Sequence, residues 1–174
     1  MPTTHIEFAT LSLQDALDLA IVIEEEARER YEEFAHQMRL HHTHDAARFF
    51  RFMAGNEEKH RAQLFARRRE LFGSVAARIT RELIFDVEAP EYDEVRAFMT
   101  ARHALQAALR AEEKAHAFFV AALPAVKDPT VKQLFEELRD EEVQHQELVR
   151  KQIVSAAPDP ALGPEHFVDD PVEQ

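Results

Sequence analysis

Glu57-Glu58-Lys59-His60 and Glu142-Val143-Gln144-His145 decide how this chain reads. Each stretch sets a Glu three residues before a His. On an α-helix that spacing puts both side chains on one face, one turn apart. Each pair also interrupts a row of apolar residues. Around the first, the row runs Ala46, Phe50, Met53, Glu57, His60, Leu64, Arg67, Leu71. Around the second it runs Val131, Phe135, Leu138, Glu142, His145, Val149, Gln152. Steps of three and four are the period of a helix that packs in a bundle.

Two further rows share that period. Leu13, Leu17, Ala20, Glu24, Ala27, Tyr31, Phe34 and Met38 follow a Ser12 N-cap, with Asp15 in the first turn, in a helix ending near Leu40. Ala101, Leu105, Ala108, Glu112, Ala115, Phe119 and Ala122 follow a Thr100 cap, in a helix ending near Leu123, where Pro124 closes it. Each of these rows holds one acid, Glu24 or Glu112. Thr43 reads as the cap of the second helix, which runs to about Phe72 before Gly73 stops it. Asp128-Pro129, a cap followed by Pro at the first helical position, starts a helix that runs to about Ala156.

Outside these rows the period is lost. Residues 1–10 read as a lead-in, and residues 73–99 as a long crossover with room for a short helix over about Val75 to Phe85. Residues 157–174 carry four prolines and several acids and read as an extended tail. The expectation is one all-α domain over 1–156, an up-down four-helix bundle with a crossover between its second and third helices.

The bulk numbers agree and exclude several classes. A chain of 174 residues, 45% hydrophobic, is long enough for one buried core, and only 3 Gly leave long stretches free for helix. A net charge of −12 argues against a nucleic-acid partner, which needs clustered Lys and Arg. With no Cys, there are no disulfides, no thiol catalysis and no thiolate-bound iron. The start shows no basic region followed by an apolar run, so no signal peptide is expected. The longest apolar stretch, about Ala115 to Val126, is too short to span a bilayer and contains His116. These features predict a cytoplasmic protein with no membrane partner.

The two halves repeat. A shift of 88 residues places Ser12 on Thr100, Ala20 on Ala108, Glu24 on Glu112 and Tyr31 on Phe119. A shift of 85 places Thr43 on Asp128, Phe50 on Phe135, Glu57 on Glu142 and His60 on His145. Two similar hairpins packed face to face would bring four central acids together. Glu33/His36 and Glu113/His116 have the same spacing but no counterpart in the other half, and neither pair lies wholly on a seam.

Burying a bare carboxylate costs several kcal/mol, and four together repel. Protons or metal must compensate. Two divalent ions carry four positive charges against the four carboxylates Glu24, Glu57, Glu112 and Glu142, and the imidazoles of His60 and His145 complete the set. Mixed carboxylate and imidazole donors suit iron or manganese, with zinc an alternative. Three weaker candidates accompany them. Tyr31, two turns past Glu24, reads first as core and second as a hydrogen-bond donor or redox group beside the site. His116 stands one turn past Glu112. His41, His42 and His44, with His36, read as a solvated turn before a surface metal site.

One Glu from each of two helices and Glu-x-x-His from each of the other two resembles the ferritin-like di-iron carboxylate superfamily. Glu24-Glu25-Glu26-Ala27-Arg28-Glu29-Arg30-Tyr31 and Glu112-Glu113-Lys114-Ala115-His116-Ala117-Phe118-Phe119 look like the first- and third-helix motifs of rubrerythrins. The resemblance covers about residues 11–156. It implies a ferritin-like bundle holding two irons per chain, with Glu24 and Glu112 as single-helix carboxylates, Glu57 and Glu142 as bridges, and His60 and His145 as terminal ligands. It further implies a homodimer that reduces hydrogen peroxide or dioxygen. The rubredoxin module of rubrerythrins needs four Cys, so the electron donor here is expected to be external. Rubrerythrins also carry a second Glu one turn after the third-helix ligand, where this chain has Ala115. Ferroxidase or iron-storage action, and a non-catalytic metal-binding bundle, stand as alternatives.

Overall fold

The computed structural model describes residues 6–81 and 100–156. A short 3-10 turn over Phe8–Thr10 leads into four α-helices: α1 (Leu13–Leu40), α2 (His44–Phe72), α3 (Ala101–Ala122) and α4 (Pro129–Ser155). No strand occurs among the described residues. The fold is the all-α bundle that the four periodic rows predict.

Three helices start on the predicted caps. Ser12 Oγ accepts from the Asp15 N–H, Thr100 Oγ1 from the His103 N–H, and Asp128 Oδ1 from the N–H groups of Thr130 and Val131. Each satisfies a helix-terminal donor that would otherwise lack a partner. Thr43 precedes α2 but works differently. Its hydroxyl donates to the Met38 carbonyl at 2.9 Å, so its side chain secures the end of α1 rather than the start of α2. His42, at φ 60°, makes the tight left-handed step between the two helices. Gly73, at φ 61°, ends α2.

After Gly73 the backbone over residues 74–80 is not helical. The short helix expected from Val75 is therefore absent over that part; the rest of that span, most of the crossover and the tail lie outside the described residues. Arg68 pins the chain as it leaves α2. Its guanidinium donates to Asp18 at 2.6 and 3.3 Å, to the Gly73 carbonyl at 3.3 Å and to the Val75 carbonyl at 2.6 Å. Both members of this ion pair are buried.

That contact corrects the inner row of α2. The seam was expected to continue from Leu64 to Arg67 and Leu71. Instead Arg68 turns inward and Leu71 is 52% exposed. A straight helix has 3.6 residues per turn, so a strict seven-residue row drifts about 20° per repeat. By the last turn of α2 the drift, together with the pull of Asp18, has moved the buried face by one residue.

α1 packs along α2 and α3 along α4, and the hairpins meet where α1 touches α3 and α4. Two apolar cores result. One, toward the start of α1, gathers Leu17, Leu19, Ile23, Phe119, Leu134 and Phe135. The other, toward the end of α1, gathers Phe34, Met38, Phe50, Met53, Leu105 and Val149. Along each helix the acids and histidines fall between these two cores. No helix among the described residues is long and apolar enough to cross a membrane.

Candidate metal centre

The layer between the cores is polar because each helix presents its mid-seam residue there. α1 supplies Glu24, α2 supplies Glu57 and His60, α3 supplies Glu112, and α4 supplies Glu142 and His145. Glu24, Glu57, Glu112, Glu142 and His145 are no more than 5% exposed. The His60 side chain is 19% exposed. The structure brings all six predicted side chains together.

Their donor atoms converge. His145 Nδ1 lies 3.3 Å from Glu57 Oε1 and 3.3 Å from Glu112 Oε2. His60 Nδ1 lies 3.8 Å from Glu24 Oε2. The two imidazoles stack nearly parallel, with centroids 5.3 Å apart and planes 5° off parallel. The Glu24–His60 and Glu112–His145 contacts are equivalent under the internal repeat. Three triads, Glu57/His60/His145, Glu112/Glu142/His145 and Glu24/His60/Glu141, each hold one potential ligand atom per residue within 4.8 Å of the others.

The third triad includes Glu141, which the sequence reading missed. Glu141 neighbours Glu142 and so sits about 100° round α4, off the inner seam. Its repeat-equivalent, 85 residues earlier, is Asn56, so the comparison of halves gave it no weight. The signal lay in the helix neighbour: Glu141 Oε2 stands 3.8 Å from His60 Nδ1 of α2.

Tyr31 is buried in the second apolar core, stacked on Phe50 with ring centroids 6.0 Å apart. Its hydroxyl is buried and makes no hydrogen bond to any described residue. His116 is half-buried and joins none of the three triads. His41, His42 and His44 are exposed at the α1–α2 turn, and among the described residues they form no such donor group.

The electrostatics are those of a site waiting for positive charge. Burial pushes Glu24 up to about 7, with the charges of Glu141 and Glu112 adding to the rise. Burial, helped by repulsion from His145, pulls His60 down to about 4. Burial also pulls on His145, but its hydrogen bond with Glu112 and the charges of Glu112, Glu24 and Glu141 outweigh that and hold it above its ordinary value. Glu24 Oε2, Glu112 Oε1 and His60 Nδ1 are buried and make no hydrogen bond to any described residue. Orphaned buried acceptors are costly and rare. Carboxylate oxygens and imidazole nitrogens aimed into one layer fit a pair of divalent ions, of the kind that oxygen and nitrogen donors select.

A family model described as Rubrerythrin matches residues 15–153. The chain belongs to the rubrerythrin family. Among solved structures, it is similar to an uncharacterized conserved protein from Magnetospirillum magnetotacticum MS-1. The two are 29% identical, the match covers 88% of this chain and 100% of that one, and the TM-score is 0.72. No curated protein matches the chain. Rubrerythrin-family membership accounts for the four-helix ferritin-like architecture and for the carboxylate and histidine groups in its middle that could hold metal. These 174 residues contain no cysteine, so they offer no thiolate ligands for iron.

Proposed function

We propose that this protein is a di-iron oxidoreductase that reduces hydrogen peroxide or dioxygen with electrons from an external donor. The observation that carries the reading is the layer of four carboxylates and two imidazoles between two apolar cores, with Glu24 Oε2, Glu112 Oε1 and His60 Nδ1 buried and without a hydrogen bond to any described residue. When bound, a pair of Fe(II) ions supplies the two electrons that, with two protons, reduce one hydrogen peroxide to two waters.

The chain's own residues do the rest. Glu24, Glu57, Glu112 and Glu142 balance the charge of two divalent ions. His60 and His145 present Nδ1 as nitrogen donors from opposite hairpins. Aromatic and aliphatic side chains above and below keep water from the layer and strengthen every electrostatic contact in it. In the metal-free site Glu24 holds a proton below about pH 7, so loading releases that proton. The proposal includes a homodimer, which size-exclusion mass tests, and a cytoplasmic setting.

The test is an anaerobic Fe(II) titration of metal-free protein, followed by separate challenges with hydrogen peroxide and dioxygen in a stopped-flow instrument. Saturation at two irons per chain with faster oxidation by peroxide is the expected result. Faster oxidation by dioxygen would move the reading to an oxidase or ferroxidase. Failure to bind iron in pairs would overturn it.

A further inference from the structure

The six ligands predicted from the sequence repeat fairly evenly across the two hairpins, but the surroundings of the two histidines differ. His145 is buried, with Glu57 and Glu112 each 3.3 Å from its Nδ1. His60 is the more open of the pair, and Glu24 and Glu141 stand 3.8 Å from its Nδ1 on two different helices. Beside it a cleft of about 140 Å³ opens between α2 and α4, lined by His60, Gln63, Arg67, Glu137, Leu138 and Glu141. Through this cleft the His60 ring meets solvent.

The side chains of this cleft are not equivalent. Arg67 and Glu137 face each other across it at 3.7 Å, so Glu137 already has a cation. Among the described residues Glu141 has no Lys or Arg partner, and its carboxylate reaches His60 instead. Glu24, nine-tenths buried and more, aims its unpartnered Oε2 at the same His60 nitrogen. A half-exposed carboxylate, a buried orphaned carboxylate oxygen and an imidazole nitrogen thus surround one point just inside the cleft, with their ligand atoms within 4.8 Å of one another.

We infer that Glu141 is a seventh metal ligand of this chain: it receives a divalent cation at the α2–α4 cleft and completes the coordination of the ion held by Glu24 and His60. The inference rests on the proposed metal centre and deepens it. α4 then serves both ions, through Glu141 on its α2-facing side and through Glu142 and His145 inside. The two ions are consequently unlike. One sits in the closed Glu112/Glu142/His145 environment, and the other sits at the cleft and exchanges first. Ala115, one turn past Glu112 and fully buried, offers no donor, so additional carboxylate ligation comes from α4 rather than α3.

The test compares the full chain with E141Q and E137Q by Co(II) titration, read by visible absorption and calorimetry, and by loading rate. Wild type and E137Q are expected to bind two Co(II) tightly. E141Q is expected to hold one ion with unchanged affinity and to lose at least about tenfold in affinity and in loading rate for the other. A crystal of the Co(II) form should place a Glu141 oxygen about 2.0–2.2 Å from the ion beside His60. If wild type binds two ions and E141Q matches it in both affinities and in rate, the inference is wrong while the metal centre stands. Equal losses in E137Q and E141Q would reduce Glu141 to general negative charge at the cleft and also overturn the ligand assignment. If wild type takes up no pair of ions, the centre and the inference fail together.

Discussion

Replacing Glu24 by Gln should stabilise the metal-free protein and destabilise the metal-loaded one, and the size of the first effect should depend on pH. The Glu24 carboxyl rises from an ordinary 4.5 to about 7 on folding, chiefly through burial. The folded chain therefore binds more protons at this site than the unfolded chain between those values, and its stability falls as pH rises through that window. From these values the charge on Glu24 costs about 1 kcal/mol at pH 5 and about 3 kcal/mol at pH 8. Gln keeps the size and removes the charge. In a chain of this length about 3 kcal/mol corresponds to roughly 6–12 °C in Tm. The assay is thermal unfolding by circular dichroism in chelator at pH 5 and pH 8, repeated with Fe(II) under anaerobic conditions. E24Q should melt well above wild type at pH 8 without metal and only slightly above it at pH 5. With Fe(II) at a thousandfold excess over its Kd, wild type should gain about 4 kcal/mol, and E24Q much less. A metal-free E24Q that is no more stable than wild type at pH 8, or whose advantage does not change with pH, would refute the account of Glu24 as a buried carboxylate held for a cation.

Loading of Fe(II) or Co(II) should weaken as pH falls below about 7, by about tenfold per pH unit from Glu24 alone, because its proton must leave first; titrations between pH 5.5 and 8 check this. His60 should add nothing to that slope until about pH 4, since the ring is already neutral above it. Arg68→Ala strands the buried Asp18 carboxylate and frees the Gly73 and Val75 carbonyls, and it should cost about 2–3 kcal/mol in urea unfolding while metal stoichiometry stays at two. Asp128→Ala removes acceptors for two N–H groups at the start of α4 and should cost about 1 kcal/mol in the same assay, against no loss for the exposed neighbour change Lys127→Ala.

Much of this molecule was legible before any coordinates. Ser12, Thr100 and Asp128 announce their helices because a short polar side chain ahead of an apolar period does one local thing, which is to accept from the first turn. The six donors were legible for a different reason: an acid repeated at the same seam position in both halves has no cheap explanation other than a shared centre. What escaped was set by tertiary contact. Thr43 looks like a cap, yet the turn at His42 swings its hydroxyl back onto Met38. Arg67 and Leu71 fit the seam by counting, yet Asp18 on the neighbouring helix selects Arg68. Glu141 looks like one more solvated acid until α2 brings His60 alongside. In each case the deciding partner is on another helix or across a turn, where periodicity along one helix carries no information.

The placement of the polar layer between two apolar cores has a consequence for how the protein lives with its metal. Each end of the bundle owns a complete set of interlocked side chains, so the helices remain registered whether or not ions are present. A zinc finger loses its shape with its ion because the ion is its core. Here the candidate ligands form a middle storey between two finished floors. The expected consequence is a bundle that stays folded when the layer is empty, so that a chelator should strip and Fe(II) refill it with the helical circular-dichroism signal unchanged.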